Sequence, residues 1–179
     1  MKISIVLGTA RDNNESSKVA DFIYEKLRRN KIETDLIHVS DYLFQKTIIR
    51  SEQDSEPNEK IENWARTVES SDAIIFVTPE YNHSYPGELK ILIDSLYSEY
   101  KGKIAGVVSI STGNYGGARV TELLKLLLLT VNFHVLNKSV LVSGVSGIFE
   151  EKNRDHLEKV DKQLDGLIEE ILSLHKQMN

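Results

Sequence analysis

One unbroken apolar run of strand length, Ala73 to Val77 (AIIFV), limits this chain's architecture more than any other feature. A strand that is apolar at every position is buried on both faces, as in the middle of a parallel sheet. A helix pattern follows it (Leu89, Leu92, Ile93, Leu96), and then a second such run, Ile104 to Ile110 (IAGVVSI). Upstream, Ile3 to Leu7 reads as a first strand, and Val19, Phe22, Ile23 and Leu27 follow it at the spacing of one buried helix face. Asp35 to Val39 reads as a second strand, and Asp41 to Glu56, ending at Pro57, as an irregular connection. Asn58 to Ser70 is a helix with Ile61, Trp64, Ala65 and Val68 on its apolar face, where Trp64 is expected to pack in the core. A fifth strand is placed at Ser139 to Val142, before a final helix striped by Leu157, Val160, Leu164, Leu167, Ile168 and Ile171.

Alternating strands and helices imply a parallel sheet with right-handed crossovers. The expected fold is α/β: a flavodoxin-like three-layer sandwich, with a five-stranded parallel sheet of order 2-1-3-4-5 and residues 1–179 as one domain. In that order a ligand lies where the strand order reverses, beside strands 1 and 3. The three unusual loops of the sequence follow strands 1, 3 and 4, so all three would emerge at that edge.

The first loop carries Gly8, Thr9, Arg11, Asn13, Asn14, Ser16 and Ser17 ahead of a helix. Strand, short polar loop and helix aim backbone N–H groups at an anion. The helix end contributes only about 0.3–1 kcal/mol to holding a negative charge, whereas charge-assisted hydrogen bonds contribute about 1.5–3 kcal/mol each. If a phosphate sits here, Arg11, Thr9 and the serines outweigh the dipole. The same Ser, Thr and Asn residues are also ordinary helix caps. The loop has neither the G-x-x-x-x-G-K-[ST] of a P-loop nor the G-x-G-x-x-G of a dinucleotide fold. The second loop runs from Thr78 to Gly87, polar and aromatic between two prolines. The third, Ser111 to Gly117, has three glycines in five residues, which lets a ligand approach the backbone.

Composition removes several classes of function. A net charge of −5 argues against bulk nucleic-acid binding. No apolar run approaches the ~20 residues of a membrane span, and the first run is too short for a signal-peptide core; a cytoplasmic location is the default expectation. With no cysteine there is no disulfide, thiol nucleophile or cysteine-ligated metal, and the five histidines form no metal-ligand motif. The helix at Arg119 to Val131 contains LLKLLLL and is apolar on most sides, so a subunit interface on the side away from the sheet is expected.

Taken together, these residues resemble the NADPH-dependent FMN reductase family, which includes azo-dye, quinone and chromate reductases. The most specific segment is Thr78 to Lys90, TPEYNHSYPGELK, matching T-P-E-Y-N-x-S-x-P-x-x-L-K. The family's G-S-x-R-x-x-x-x-S is met by Gly8, Thr9, Arg11 and Ser16, and its S-x-G-x-x-G-G-x-R by Ser111, Gly113, Gly116, Gly117 and Arg119. Thr9 stands where serine is usual, and Ile91–Leu92 where Asn-Ala is common. The resemblance implies that Thr9, Arg11, Ser16 and Ser17 hold the FMN phosphate, with Asn14 beside them. It implies that Pro79, Glu80, Tyr81, Asn82 and Ser84 pass along the isoalloxazine and ribityl groups, and that Ser111 and Gly113 flank the flavin. It further implies NADPH or NADH as electron donor, a small-molecule electron acceptor, and a homodimer or homotetramer. Tyr81, Tyr85 and Tyr115 could line the open flavin face or simply pack, and Arg119 could meet the extra phosphate of NADPH or be solvated. No side chain is singled out as a general acid or base, because the flavin carries the reaction, and with neither cysteine nor a histidine ligand motif no metal is expected.

Two other readings stay open. One is a flavodoxin-type FMN electron carrier without nicotinamide turnover, although such carriers tend to be more acidic than −5. The other is a receiver-type regulator, which would need paired acidic residues where this chain has Gly8 and Thr9.

Overall fold

The computed structural model describes residues 1–43, 50 and 58–178. Within them lie β1 (Ile3–Leu7), α1 (Glu15–Arg29), β2 (Leu36–His38), α2 (Glu59–Ser70), β3 (Ala73–Pro79), α3 (Gly87–Asp94), β4 (Ile104–Ile110), α4 (Ala118–Thr130), β5 (His134–Val142) and α5 (Arg154–Met178). The strands form one sheet of order β2-β1-β3-β4-β5, parallel throughout. The expected flavodoxin-like order is the observed one.

The period of two along each central strand divides the core in two. Ile3, Ile5 and Leu7 of β1 and Ala73, Ile75 and Val77 of β3 face one layer, with Val19, Ile23 and Leu27 of α1 and Leu164, Leu167 and Ile171 of α5. Val6, Ile74 and Phe76 face the other, against Trp64 and Val68 of α2, Leu89 and Leu92 of α3 and Leu124 and Leu128 of α4. Both faces are covered, which is why β1, β3 and β4 are buried at every position. Trp64 packs in the core as expected; its indole N–H donates to the buried Tyr100 hydroxyl at 2.9 Å.

Two strands depart from the sequence reading. β2 is shorter than Asp35 to Val39 because Val39 already opens a 3-10 turn through Tyr42. β5 begins five residues before Ser139. In its register Ala105 pairs with Val135 but Val107 with Ser139, so β5 advances four residues while β4 advances two. That irregularity sits on an edge strand whose exposure alternates, which hides the first half from an apolar-run search. Of the Asp41 to Pro57 connection only residues 41–43 and Arg50 are described; the expectation of irregular chain over the rest lies outside the described residues. Arg50 binds α2 and the turn after α3, donating to Glu62 and Glu99 and, through its backbone N–H, to the Ser95 carbonyl.

Candidate functional site

The first N–H past each of β1, β3 and β4 still donates to the neighbouring strand: Gly8 to Val77 O at 2.8 Å, Glu80 to Ile110 O at 3.0 Å, Ser111 to Val142 O at 3.0 Å. The three unusual loops therefore leave the sheet at one level of its C-terminal edge. The order reverses here, with β1 lying between β2 and β3, which is the crevice where open α/β sheets bind ligands.

The first loop is held from within and from outside. Thr9 is buried, and its hydroxyl accepts the Arg11 backbone N–H at 3.2 Å and meets the Tyr81 hydroxyl at 2.8 Å. The Arg11 guanidinium lies over the Tyr81 ring, 3.9 Å from its centroid, as a cation–π contact. Asn14 caps α1, accepting the Ser17 N–H at 2.8 Å, while its amide donates to Arg11 O at 2.7 Å. The Ser17 hydroxyl donates to Asn14 O at 2.9 Å, and Ser16 is buried in the first turn. Asn14 and Ser17 thus serve the helix end. Helical geometry leaves the first-turn N–H groups of Glu15 and Ser16 without an intrahelical partner, at the end of the loop that carries Thr9 and Arg11.

The second loop is a two-residue hairpin. Tyr81 and Ser84 exchange N–H···O bonds of 2.9 Å in both directions, and Asn82 and His83 between them have φ of 50° and 67°. Positive φ at both central positions is the type I′ pattern, which asparagine tolerates well. Asn82 is exposed at the tip; Pro79 ends β3, buried. The Glu80 carboxylate turns toward the third loop. It accepts the N–H of Arg119 at 3.2 Å and of Val120 at 3.3 Å, at the start of α4, and meets the Arg119 guanidinium at 3.5 Å. Arg119 also lies 5.5 Å from the Tyr115 ring centroid.

In the third loop the Ser111 hydroxyl accepts the Gly113 N–H at 2.9 Å, and both residues bond to the chain after β5, through Val145 N and Gly144 N. Gly116 and Gly117 have φ of 58° and 81°, and a Cβ on Gly117 would stand 2.8 Å from Ser109 Cβ. These two glycines serve close packing against β4 and β5. The buried Thr121 hydroxyl donates to Ser109 Oγ, which donates to Gly116 O, each at 2.7 Å.

The structure thus brings Thr9, Arg11 and Tyr81 into direct contact, ties Glu80 to Arg119, and holds Ser111 and Gly113 in one turn. Two features were missed from sequence. Glu88 of α3 accepts the Ala10 N–H at 2.9 Å, tying α3 to the first loop; it lies inside the Thr78–Lys90 motif, the one signal that could have flagged it. The Ser109–Thr121 pair had no signal, being a strand residue and a helix residue without local pattern.

The donor set fits a flavin mononucleotide. A hydroxyl, a guanidinium and helix N–H groups suit a phosphate, and the hairpin and third loop lie alongside at the same sheet edge. The profile of the family described as NADPH-dependent FMN reductase matches residues 1–147. An NAD(P)H-dependent FMN reductase of Saccharomyces cerevisiae is 31% identical over 150 residues, covering 76% of this chain and 78% of that protein. A quinone reductase of Pseudomonas putida is 28% identical over 158 residues, covering 85% and 83%. In structure, the chain is similar to a flavoenzyme NAD(P)H:(acceptor) oxidoreductase of Paracoccus denitrificans, with a TM-score of 0.71 and 26% identity over 94% of this chain and 97% of that one. The chain belongs to the NADPH-dependent FMN reductase family, flavin oxidoreductases that use FMN with NAD(P)H as electron donor.

Proposed function

We propose that this chain binds FMN across its three sheet-edge loops and reduces a small quinone-like acceptor with electrons from NAD(P)H. The observation that carries this reading is the convergence of Thr9, Arg11 and the α1 N-terminus beside the Tyr81–Ser84 hairpin. Thr9 and Arg11 would hold the phosphate with Ser16, and Asn14 and Ser17 would shape their loop at the helix end. Pro79, Glu80, Tyr81, Asn82 and Ser84 would border the ring system on one side, Ser111 and Gly113 on the other. When bound, FMN supplies the hydride and electron chemistry. The protein's work is to hold the phosphate, orient the ring and keep one face open. A quinone acceptor is supported by the quinone reductases among the relatives, and FMN and flavin reductases stand beside them.

Leu123, Leu126 and Leu129 of α4 are 44%, 64% and 56% exposed. A line of leucines turned from the sheet suits an association of like subunits, and we propose a homodimer or homotetramer built on it. Sedimentation at micromolar concentration tests this; a monomer would refute it. The location is proposed as cytoplasmic; among the described residues no helix is long and apolar enough to cross a membrane.

An anaerobic titration of FMN-loaded protein with NADPH, followed by flavin absorbance, tests the central reading. Rapid bleaching to the two-electron reduced form is expected. Bound flavin that stays oxidised would return the protein to the electron-carrier reading.

A further inference from the structure

We propose that Tyr81 is a positioning residue that couples the two halves of the flavin site, so that phosphate in the first loop tightens the grip of the second loop on the ring system. The inference rests on the FMN reading above and adds a cooperative link to it. Tyr81 touches the first loop at two points: its hydroxyl meets Thr9 Oγ1 at 2.8 Å, and its ring carries the Arg11 guanidinium at 3.9 Å. Its backbone closes the hairpin with Ser84 in both directions. Any movement of Thr9 or Arg11 on meeting an anion is therefore transmitted to the hairpin, and any displacement of the hairpin to the phosphate donors.

Proton bookkeeping gives the link a direction. A hydroxyl oxygen offers one donor and two acceptor sites. Thr9 Oγ1 already accepts the Arg11 N–H. With no anion present, either hydroxyl of the Thr9–Tyr81 pair can be the donor. An ionised phosphate oxygen beside Thr9 carries no proton and accepts only, so it draws the Thr9 proton to itself. Tyr81 must then donate to Thr9, whose two acceptor sites are filled. The chain Tyr81 O–H to Thr9 O–H to phosphate is polarised in one sense, and hydrogen bonds in such a chain strengthen one another. The anion also fixes Arg11, whose guanidinium covers one face of the Tyr81 ring. Both effects hold the tyrosine, and with it the hairpin, in one geometry.

Riboflavin and inorganic phosphate serve as the two halves of FMN. Riboflavin affinity is read by quenching of flavin fluorescence, with and without phosphate, with chloride matching the ionic strength. In the natural protein, saturating phosphate is expected to tighten riboflavin by about tenfold, within the usual range of coupling between sites. By reciprocity riboflavin tightens phosphate by the same factor. Tyr81→Phe keeps the ring under Arg11 and removes only the hydroxyl; the coupling is expected to fall to about twofold or less. Thr9→Ser keeps the hydroxyl and is expected to retain the coupling; loss of the coupling in the folded Thr9→Ser variant would also overturn the proposal. Circular dichroism of both variants shows whether they are folded. Coupling of natural size in Tyr81→Phe overturns the proposal. So does a natural protein that binds FMN far more tightly than riboflavin yet shows no effect of phosphate on riboflavin; in that case the FMN reading stands and the coupling alone fails. FMN and riboflavin bound equally, with no effect of phosphate, overturns both.

Discussion

Replacing Glu80 separates a structural duty from a ligand contact. Its carboxylate accepts the N–H groups of Arg119 and Val120 in the first turn of α4, a helix whose preceding residue, Gly117, has no side chain with which to cap it. Loss of a cap costs about 0.5–2 kcal/mol, and loss of a negative charge at a helix start about 0.3–1 kcal/mol. The guanidinium contact is long, at 3.5 Å, and Arg119 is half exposed; such a pair contributes between nothing and about 1 kcal/mol. Glu80→Ala should therefore destabilise the FMN-free protein by about 1–3 kcal/mol. Glu80→Gln keeps an acceptor for the N–H groups and loses only the charge, so about 0.3–1 kcal/mol is expected. Urea unfolding monitored by circular dichroism measures both, with FMN affinity measured beside it. Two results would refute the reasoning: equal losses in the two variants, or negligible loss in both with FMN affinity reduced more than about tenfold, which would correspond to about 1.4 kcal/mol of lost ligand contact.

Arg11→Ala should weaken FMN by about 1.5–3 kcal/mol, read by fluorescence titration; an unchanged dissociation constant would remove Arg11 from the site. Gly117→Ala places a Cβ 2.8 Å from Ser109 Cβ at a φ of 81°, and overpacking with left-handed strain should cost about 2–4 kcal/mol in urea unfolding; a loss below about 0.5 kcal/mol would contradict the packing described. Burial raises the Tyr100 hydroxyl well above its ordinary value of 10.0. The folded value exceeds the unfolded one, so this contribution is intact below pH 10 and is lost as pH rises beyond it. Between about pH 10.5 and 12, Tyr100→Phe should reduce the fall of stability with pH by about 1.4 kcal/mol per pH unit; an unchanged slope in alkaline urea titrations would show that Tyr100 ionises freely in the folded protein.

The central sheet was legible because its physics is local. A strand buried on both faces has to be apolar throughout, and Ala73–Val77 and Ile104–Ile110 are. β5 was half missed because an edge strand can alternate, and its irregular register spans the polar Asn137 and Lys138. At the site, residue types were readable from motifs but their partners were not. Glu80 meets backbone groups 39 and 40 positions away, and Thr9 meets Tyr81 72 positions away. Only the assembled sheet brings such pairs together. Asn14 shows the opposite case. Its place before a helix marks it as a cap from sequence alone, and it caps α1.

The long-range contacts also decide how much ordering a ligand must impose. A loop that is loose before binding adds its ordering cost to every binding event, at about 1–2 kcal/mol per residue fixed. Here each of the three loops is anchored by its first N–H to the next strand. The first is further tied to α3 through Glu88, the second to α4 through Glu80, and the third to the chain after β5 through Gly113 and Ser111. Much of the backbone around the crevice is therefore fixed by folding, and side chains such as Arg11, with the setting of the hairpin through Tyr81, are what remains to be ordered. Fixing one such rotamer-rich side chain costs only about 0.5–1.5 kcal/mol. A guanidinium resting on an aromatic face has already lost part of that freedom, so the cation–π contact with Tyr81 lowers the cost of recruiting Arg11 to a phosphate.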